Sequence, residues 1–183
     1  MTAILALETT AELCSVAIGN NEMVIEDTRV AMRVHNEIVL SMVDTVLSAS
    51  PIEKHEVACI AFSAGPGSFT GVRIGAAIAQ GIALAWDILV CPVVTSRRSR
   101  QSLVYAAEFA SRSGELSTTS NDQLVDEKFY RGQHRVVSDS QVALSARHVF
   151  SIAWREVDTW TKAERGLPVY VEGDTPWRAP KPV

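Results

Sequence analysis

Residues able to do chemistry are sparse in this sequence, so their positions matter. The segment Gly65-Pro66-Gly67-Ser68-Phe69-Thr70-Gly71-Val72-Arg73-Ile74-Gly75 follows an apolar run and opens a helical one. Nucleotide-binding proteins often set phosphate on helix N-terminal amides at such a place. It is neither of the two common phosphate loops. A Walker loop needs Gly, four residues, then Gly-Lys-Ser/Thr, but Thr70 stands five residues after Gly65 and no lysine follows. A dinucleotide fingerprint starting at Gly65 and Gly67 needs its third glycine where Thr70 stands, and Gly71 arrives one residue late. What remains is a tight strand-to-helix turn in which glycines supply unusual φ, Pro66 fixes the approach, and Ser68 or Thr70 caps the helix. An anion or partner contact is the alternative that the position leaves open.

Hydrolysis would need a nucleophile with a base, or metal ligands at helical spacing. His35, His55, His134 and His148 are scattered, Val39 holds the position four after His35, and His55 lies in the polar turn Glu53-Lys54-His55-Glu56. Surface or capping roles fit His35 and His55 better than metal binding. Glu8 and Asp126 could serve phosphoryl transfer, but without a phosphate loop each reads as a strand-end polar group. No catalytic set, metal site or cofactor is expected. Cys14, Cys59 and Cys91 stand singly in apolar surroundings and read as buried, reduced packing residues.

The elements that must position these groups follow from hydrophobic period. With 183 residues and 47% hydrophobic content, the chain can bury one domain or two small lobes. Thr2 to Glu8, Cys14 to Gly19 and Met23 to Val30 are short β-type runs separated by polar turns, and read as three consecutive antiparallel strands. From His35 to Leu47 the period becomes helical, with Ile38, Val39, Met42, Val43, Val46 and Leu47 on one face before Ser50-Pro51. Val57 to Ser63 reads as a central strand, Thr70 to Trp86 as a helix and Ile88 to Val94 as another buried strand, giving βββαβαβ. Ser96 to Ala110 reads as helical and Ser111 to Asn121 as a polar connector, which sets lobes at 1–110 and 111–183. Beyond it, Gln123 to Asp126, Gln133 to Val137 and Val169 to Glu172 suggest strands, Ala143 to Trp154 a helix, and Pro176, Pro180 and Pro182 an extended tail.

Composition narrows the setting. The longest apolar stretches, such as Ala76 to Trp86, are interrupted by Gln80 and glycines and fall short of the ~20 residues of a membrane span. The N-terminus shows no basic region or cleavage site of a secretory signal, so a cytoplasmic protein is expected. A formal charge of −4 opposes direct nucleic-acid attraction, so any RNA is expected to be held by a partner. Arg97-Arg98-Ser99-Arg100 is the local exception, read as a solvated helix face.

One pattern points to docking. Gly71, Gly75, Ala79 and Ala83 recur every four residues, a ridge of minimal side chains that another helix backbone can approach closely. Ile74, Ile78 and Ile82 form the adjacent ridge, expected to meet the sheet. Packing of the small ridge on the first helix of the same chain is the alternative, and Gly75→Leu is the substitution expected to separate the two.

The motif Gly65 to Gly75 followed by Ala79-Gln80-Gly81-Ile82-Ala83 closely resembles the TsaB/YeaZ family, once labelled glycoprotease-like. Glu8-Thr9-Thr10 before Cys14-Ser15-Val16-Ala17, His35 ahead of the first helix, and Val94-Thr95-Ser96 agree across residues 1 to 96. The resemblance implies an α/β fold of the actin-like ATPase (ASKHA, ribonuclease H-like) kind, two lobes with βββαβα cores, the second shortened here. It implies a non-catalytic relative of TsaD, the subunit that transfers threonylcarbamoyl to the adenosine beside the anticodon. TsaD's metal-binding His, three residues, His is matched here by Ser96 and Arg100, which are not ligands. The resemblance further implies docking of a TsaD-type subunit through the first two helices, with His35, Ile38, Val39, Met42, Gly71, Gly75, Ala79 and Ala83 as the interface. By the same resemblance the two helices can support a homodimer when the chain is alone, a TsaE-type ATPase is expected to join the complex, and tRNA is expected to be met only indirectly. Departures are Glu8 in place of Asp, Asp126-Glu127-Lys128 in place of Asp-Ala-Arg, and Glu172 at an arginine position. A metallopeptidase, a small-molecule kinase of the same fold, and a plain structural dimer are the rival readings.

Overall fold

The computed structural model describes residues 2–65, 67–94 and 144–168, together with the backbone of four short strands between residues 103 and 126. Alternation along the strands decides the architecture. In β1 (Ala3–Glu8), Leu5 and Leu7 point to one side of the sheet while Ile4 and Ala6 point to the other, and all are buried. A strand buried on both faces must be central. β2 (Leu13–Gly19) pairs antiparallel with β1, and β3 (Val24–Val30) antiparallel with β2. β4 (Val57–Gly65) lies parallel on the other side of β1, and β5 (Leu89–Val94) parallel beyond it. The order is therefore β3-β2-β1-β4-β5, with the expected βββαβαβ succession.

Two helices cover one face. α1 (His35–Ala49) buries His35, Val39, Met42, Val43 and Val46, with Ile38 and Leu47 packed at the margin. α2 (Phe69–Trp86) starts at Ser68, whose Oγ accepts from the Gly71 N–H at 3.3 Å, and ends where Asp87 turns left-handed. By length and composition α2 could cross a membrane, with a mean hydropathy of 1.2, but here it lies on β4 and β5.

α3 (Ala146–Arg155) covers the opposite face, burying Ala146, Val149, Phe150 and Ala153 on Ile4, Ala6, Ala17, Cys59, Ala61, Cys91 and Val93. Its start is held by groups from the sheet. Ser15 Oγ accepts from the Ala146 N–H at 2.7 Å, and Glu26 Oε1 accepts from the Arg147 N–H at 2.9 Å and from the Ser15 hydroxyl at 2.8 Å. A carboxylate there also complements the helix dipole. Burial alone would push the Glu26 carboxyl up, but hydrogen bonds from Arg147, Ser145 and Ser15 and the Arg147 charge hold it below the usual range. The folded value lies below the unfolded one, so this stabilisation is complete above the unfolded pKa and fades as pH falls through the folded one. Glu26→Gln should cost about 1 kcal/mol at neutral pH, and denaturant titrations should show this difference shrinking below the normal glutamate range.

Past α3, residues 156–168 run along the outer edge of β5. Val90 and Thr161 exchange backbone hydrogen bonds of 2.7 and 2.8 Å, and the Gln80 side chain donates to the Gly166 carbonyl at 3.0 Å. This strap carries the chain from the α3 face to the α2 face. Packing thus draws the boundary differently from the expected 110/111 division. One compact unit holds Met1–Thr95 and Ser140–Val169, because the apolar face of α3 belongs to the first sheet.

The second unit, Ser96–Asp139 and Tyr170–Val183, contains β6 (Leu103–Ala106) paired antiparallel with β9 (Gln123–Asp126), and β7 (Phe109–Arg112) paired antiparallel with β8 (Glu115–Thr118). The strand over Gln123 to Asp126 was expected. The helix expected over 96–110 is corrected by β6 and β7, and the connector over 111–121 contains β8. Short apolar runs such as Leu103-Val104 fit either period. The strands expected at Gln133 to Val137 and Val169 to Glu172 lie outside the described residues.

Candidate functional site

The C-terminal ends of β1 and β4 bring the polar motif residues together. Glu8 is fully buried, and its Oε1 accepts from both the N–H and the hydroxyl of Thr10, each at 2.6 Å. Thr10 Oγ1 lies 3.5 Å from Ser63 Oγ at the end of β4. The resulting turn is locked to the start of α2. Thr9 Oγ1 donates to the Gly71 carbonyl at 2.8 Å, and the Ser68 N–H donates to the Thr10 carbonyl at 3.0 Å.

The glycines of the motif make this seat possible. Gly65 adopts φ 126°, open only to glycine. A Cβ on Gly71 would drive into the Thr9 carbonyl oxygen, and one on Gly75 would stand 2.7 Å from Thr9 Oγ1. A Cβ on Gly67 would come within 2.6 Å of Thr10 Cβ. The loop is thus a socket for the β1–β2 turn. Two of its amides, from Ser68 and Gly71, already bond within the chain. Pro66 lies outside the described residues.

His35 closes the assembly from the other helix, with Nε2 2.7 Å from the Ala11 carbonyl. A carbonyl only accepts, so Nε2 carries the proton, and the ring ties α1 to the same turn. His55 is exposed beside Glu53, and His148 Nδ1 accepts from the Ser145 N–H at 3.2 Å. His134, Ser96 and Arg100 lie outside the described residues. Among the described residues no three His, Cys, Asp or Glu side chains gather as a metal site. The thiols are buried: burial, with the charges of Glu8 and Asp27, pushes Cys14 up to about 11 against the opposing pull of Arg29. Burial likewise raises Cys59 and Cys91.

Burial corrects which side chains can meet a partner. Gly71, Gly75, Ala79 and Ala83 all face inward, Ala79 at 0% exposure, filled by Thr9 and the core. Val39 and Met42 are equally sealed, His35 is buried in its hydrogen bond, and Ile38 is half-buried against the core. Gly75→Leu would therefore disrupt the monomer, so it cannot report on docking. Of the isoleucine ridge expected to meet the sheet, Ile78 and Ile82 pack at the core margin.

The outward face of α2 carries a second stripe that the sequence reading missed. Ala77, Gly81 and Ala85, again four apart, are exposed, with Leu84 71% exposed beside them. A Cβ on Gly81 would meet nothing within 4 Å. No charged residue occurs from Ile74 to Trp86. On α1, Leu40 is 53% exposed. At the tip of α2, the motif residues Gly67, Ser68, Phe69, Thr70 and Arg73 are exposed, and the Arg73 guanidinium lies 3.3 Å from the centre of the Phe69 ring.

The family model for TsaD, tRNA N6-adenosine threonylcarbamoyltransferase, matches residues 23–113. The tRNA threonylcarbamoyladenosine biosynthesis protein TsaB of Haemophilus influenzae is 43% identical over 90 residues, 49% of this chain and 38% of that protein. The protein of the same name from Escherichia coli K12 is 41% identical over 92 residues, 50% of this chain and 40% of that protein. The match thus spans about two fifths of the length of these curated relatives. A tRNA N6-adenosine threonylcarbamoyltransferase of Prosthecochloris aestuarii is 30% identical over 105 residues, 49% of this chain and 30% of that protein. Among solved structures, YeaZ from Pseudomonas aeruginosa superposes with a TM-score of 0.79 at 25% identity, covering 93% of this chain and 100% of that one.

Proposed function

We propose, from the premise that this chain belongs to the TsaB/YeaZ family, that it is the docking subunit for tRNA threonylcarbamoyladenosine synthesis and holds a TsaD-type transferase on α1 and α2. Its α/β fold is the actin-like ASKHA fold. The observation that carries the proposal is Gly81. A glycine inside a helix costs about 1 kcal/mol relative to alanine, and no neighbour within the described residues needs the space its missing side chain leaves. A partner helix crossing there would need it, since close backbone approach is what a small-residue stripe provides.

In this reading the contact face is Ala77, Gly81, Leu84 and Ala85 of α2, extended by Leu40 of α1. The inner glycines serve it indirectly by seating α2 on the β1–β2 turn. Threonylcarbamoyl transfer belongs to the partner, a TsaE-type ATPase completes the assembly in the cytoplasm, and the same face supports a homodimer when no partner is present. Mixing the purified chain with the TsaD-type protein of its own genome, and following mass by light scattering, should yield a stable heterodimer. Transfer activity should need the complete mixture. Independent elution of the two proteins at micromolar concentration would sink the proposal.

A further inference from the structure

The opposite face of the sheet carries a groove that docking through α1 and α2 does not use. It lies between the β2–β3 turn and α3, has a volume of about 450 Å³, and is lined by Asn20, Asn21, Arg147, Phe150, Trp154 and Arg155 among others. Phe150 is 6% exposed, and its ring stacks on Trp154 with centroids 5.6 Å apart and planes at 23°. The buried ring thereby supports a half-buried one at the groove wall.

We infer that this groove receives one unpaired nucleotide of an RNA strand, the base against Trp154 and the phosphates beside Arg147 and Arg155. The inference rests on the tRNA reading above and replaces the expectation of purely indirect contact. Stacking on an aromatic face accepts any base and contributes about 1–3 kcal/mol. Arg147 and Arg155 are eight residues apart on one helix, about 12 Å along its axis, and flank Trp154; Arg147 already shares its charge with Glu26, so Arg155 supplies most of the local positive charge in a chain whose net charge is −4. Each is braced: Arg147 Nη2 donates to the Val24 carbonyl at 3.1 Å, with Nε 3.6 Å from Glu26, and Arg155 Nε donates to the Ser151 carbonyl at 3.1 Å. Asn20 Oδ1 is taken by the N–H groups of Glu22 and Met23, which leaves its NH₂ as a donor for a base edge. Glu22 on the rim repels phosphate from the turn side and biases it toward the arginines. A free nucleotide shares this chemistry, but two guanidinium groups spread along an open groove suit a continuing strand.

Fluorescence anisotropy of a labelled single-stranded RNA heptamer, with the chain alone and with the chain in its TsaD-type complex, tests this. Saturable binding that weakens with salt is expected, falling about 10-fold in Trp154→Ala and in Arg155→Glu. Arg155 is exposed, so its variant should keep the wild-type circular dichroism if Trp154→Ala loosens α3. Absence of saturable binding, equal binding by Arg155→Glu, or competition by AMP at the heptamer's own concentration would each overturn the inference. Binding by the chain alone is readable even if no heterodimer forms, so the two proposals fail separately.

Discussion

Gly81→Arg should leave the chain folded and weaken its association with a TsaD-type partner by about 100-fold or more, the loss expected when a charged side chain is forced into the centre of an interface. The monomer has room for it, since nothing stands within 4 Å of a Cβ at that position. Arginine also favours a helix interior over glycine by close to 1 kcal/mol, so the melting temperature should hold or rise slightly. Titration calorimetry against the partner gives the affinity and a thermal melt gives the fold. An unchanged Kd would remove α2 from the interface. Gly81→Ala refines the result, because it gains helix stability while adding one methyl group at the crossing point.

Gly71→Ala should do the reverse, damaging the fold through a position buried within the monomer. Its methyl group would enter the Thr9 carbonyl, which is backbone and cannot rotate away. Relief requires lifting the β1–β2 turn off α2, breaking the Thr9 hydroxyl bond to the Gly71 carbonyl and the Ser68 amide bond to the Thr10 carbonyl. Overpacking with the loss of two hydrogen bonds, the Thr9 one buried, is worth about 3 kcal/mol. In a chain of this size that lowers the midpoint of thermal unfolding by roughly 6–12 °C. A melt within about 2 °C of wild type would show that the turn yields, contrary to the socket described above.

The first five strands and two helices were legible from run length and period. Ala3 to Leu7 and Val57 to Phe62 are short apolar runs bounded by turns, as a strand covered on both faces requires, and Val39, Met42, Val43 and Val46 repeat helically. The stripe proposed for docking was only half legible. Gly71, Gly75, Ala79 and Ala83 share their spacing with Ala77, Gly81 and Ala85, and the two sets lie two residues out of phase, on opposite sides of the helix. Size and spacing cannot say which set faces solvent. Thr9 decides it, by filling the space over Gly71 and Gly75. The destination of α3 was likewise hidden, since its apolar face states that it packs but not on which sheet. The hydrogen bonds from Ser15 and Glu26, more than a hundred residues away, settle that address.

The strap along β5 has a consequence for how the molecule is made. A ribosome that has released the first 95 residues has delivered all five strands but neither the helix nor the edge cover that complete them. The newborn sheet must wait, with Ile4, Ala6, Ala17 and Ala61 bare to water, until a further fifty to seventy residues emerge. Biogenesis of this protein therefore passes through a sticky, half-roofed stage, the kind of exposed apolar surface that chaperones hold.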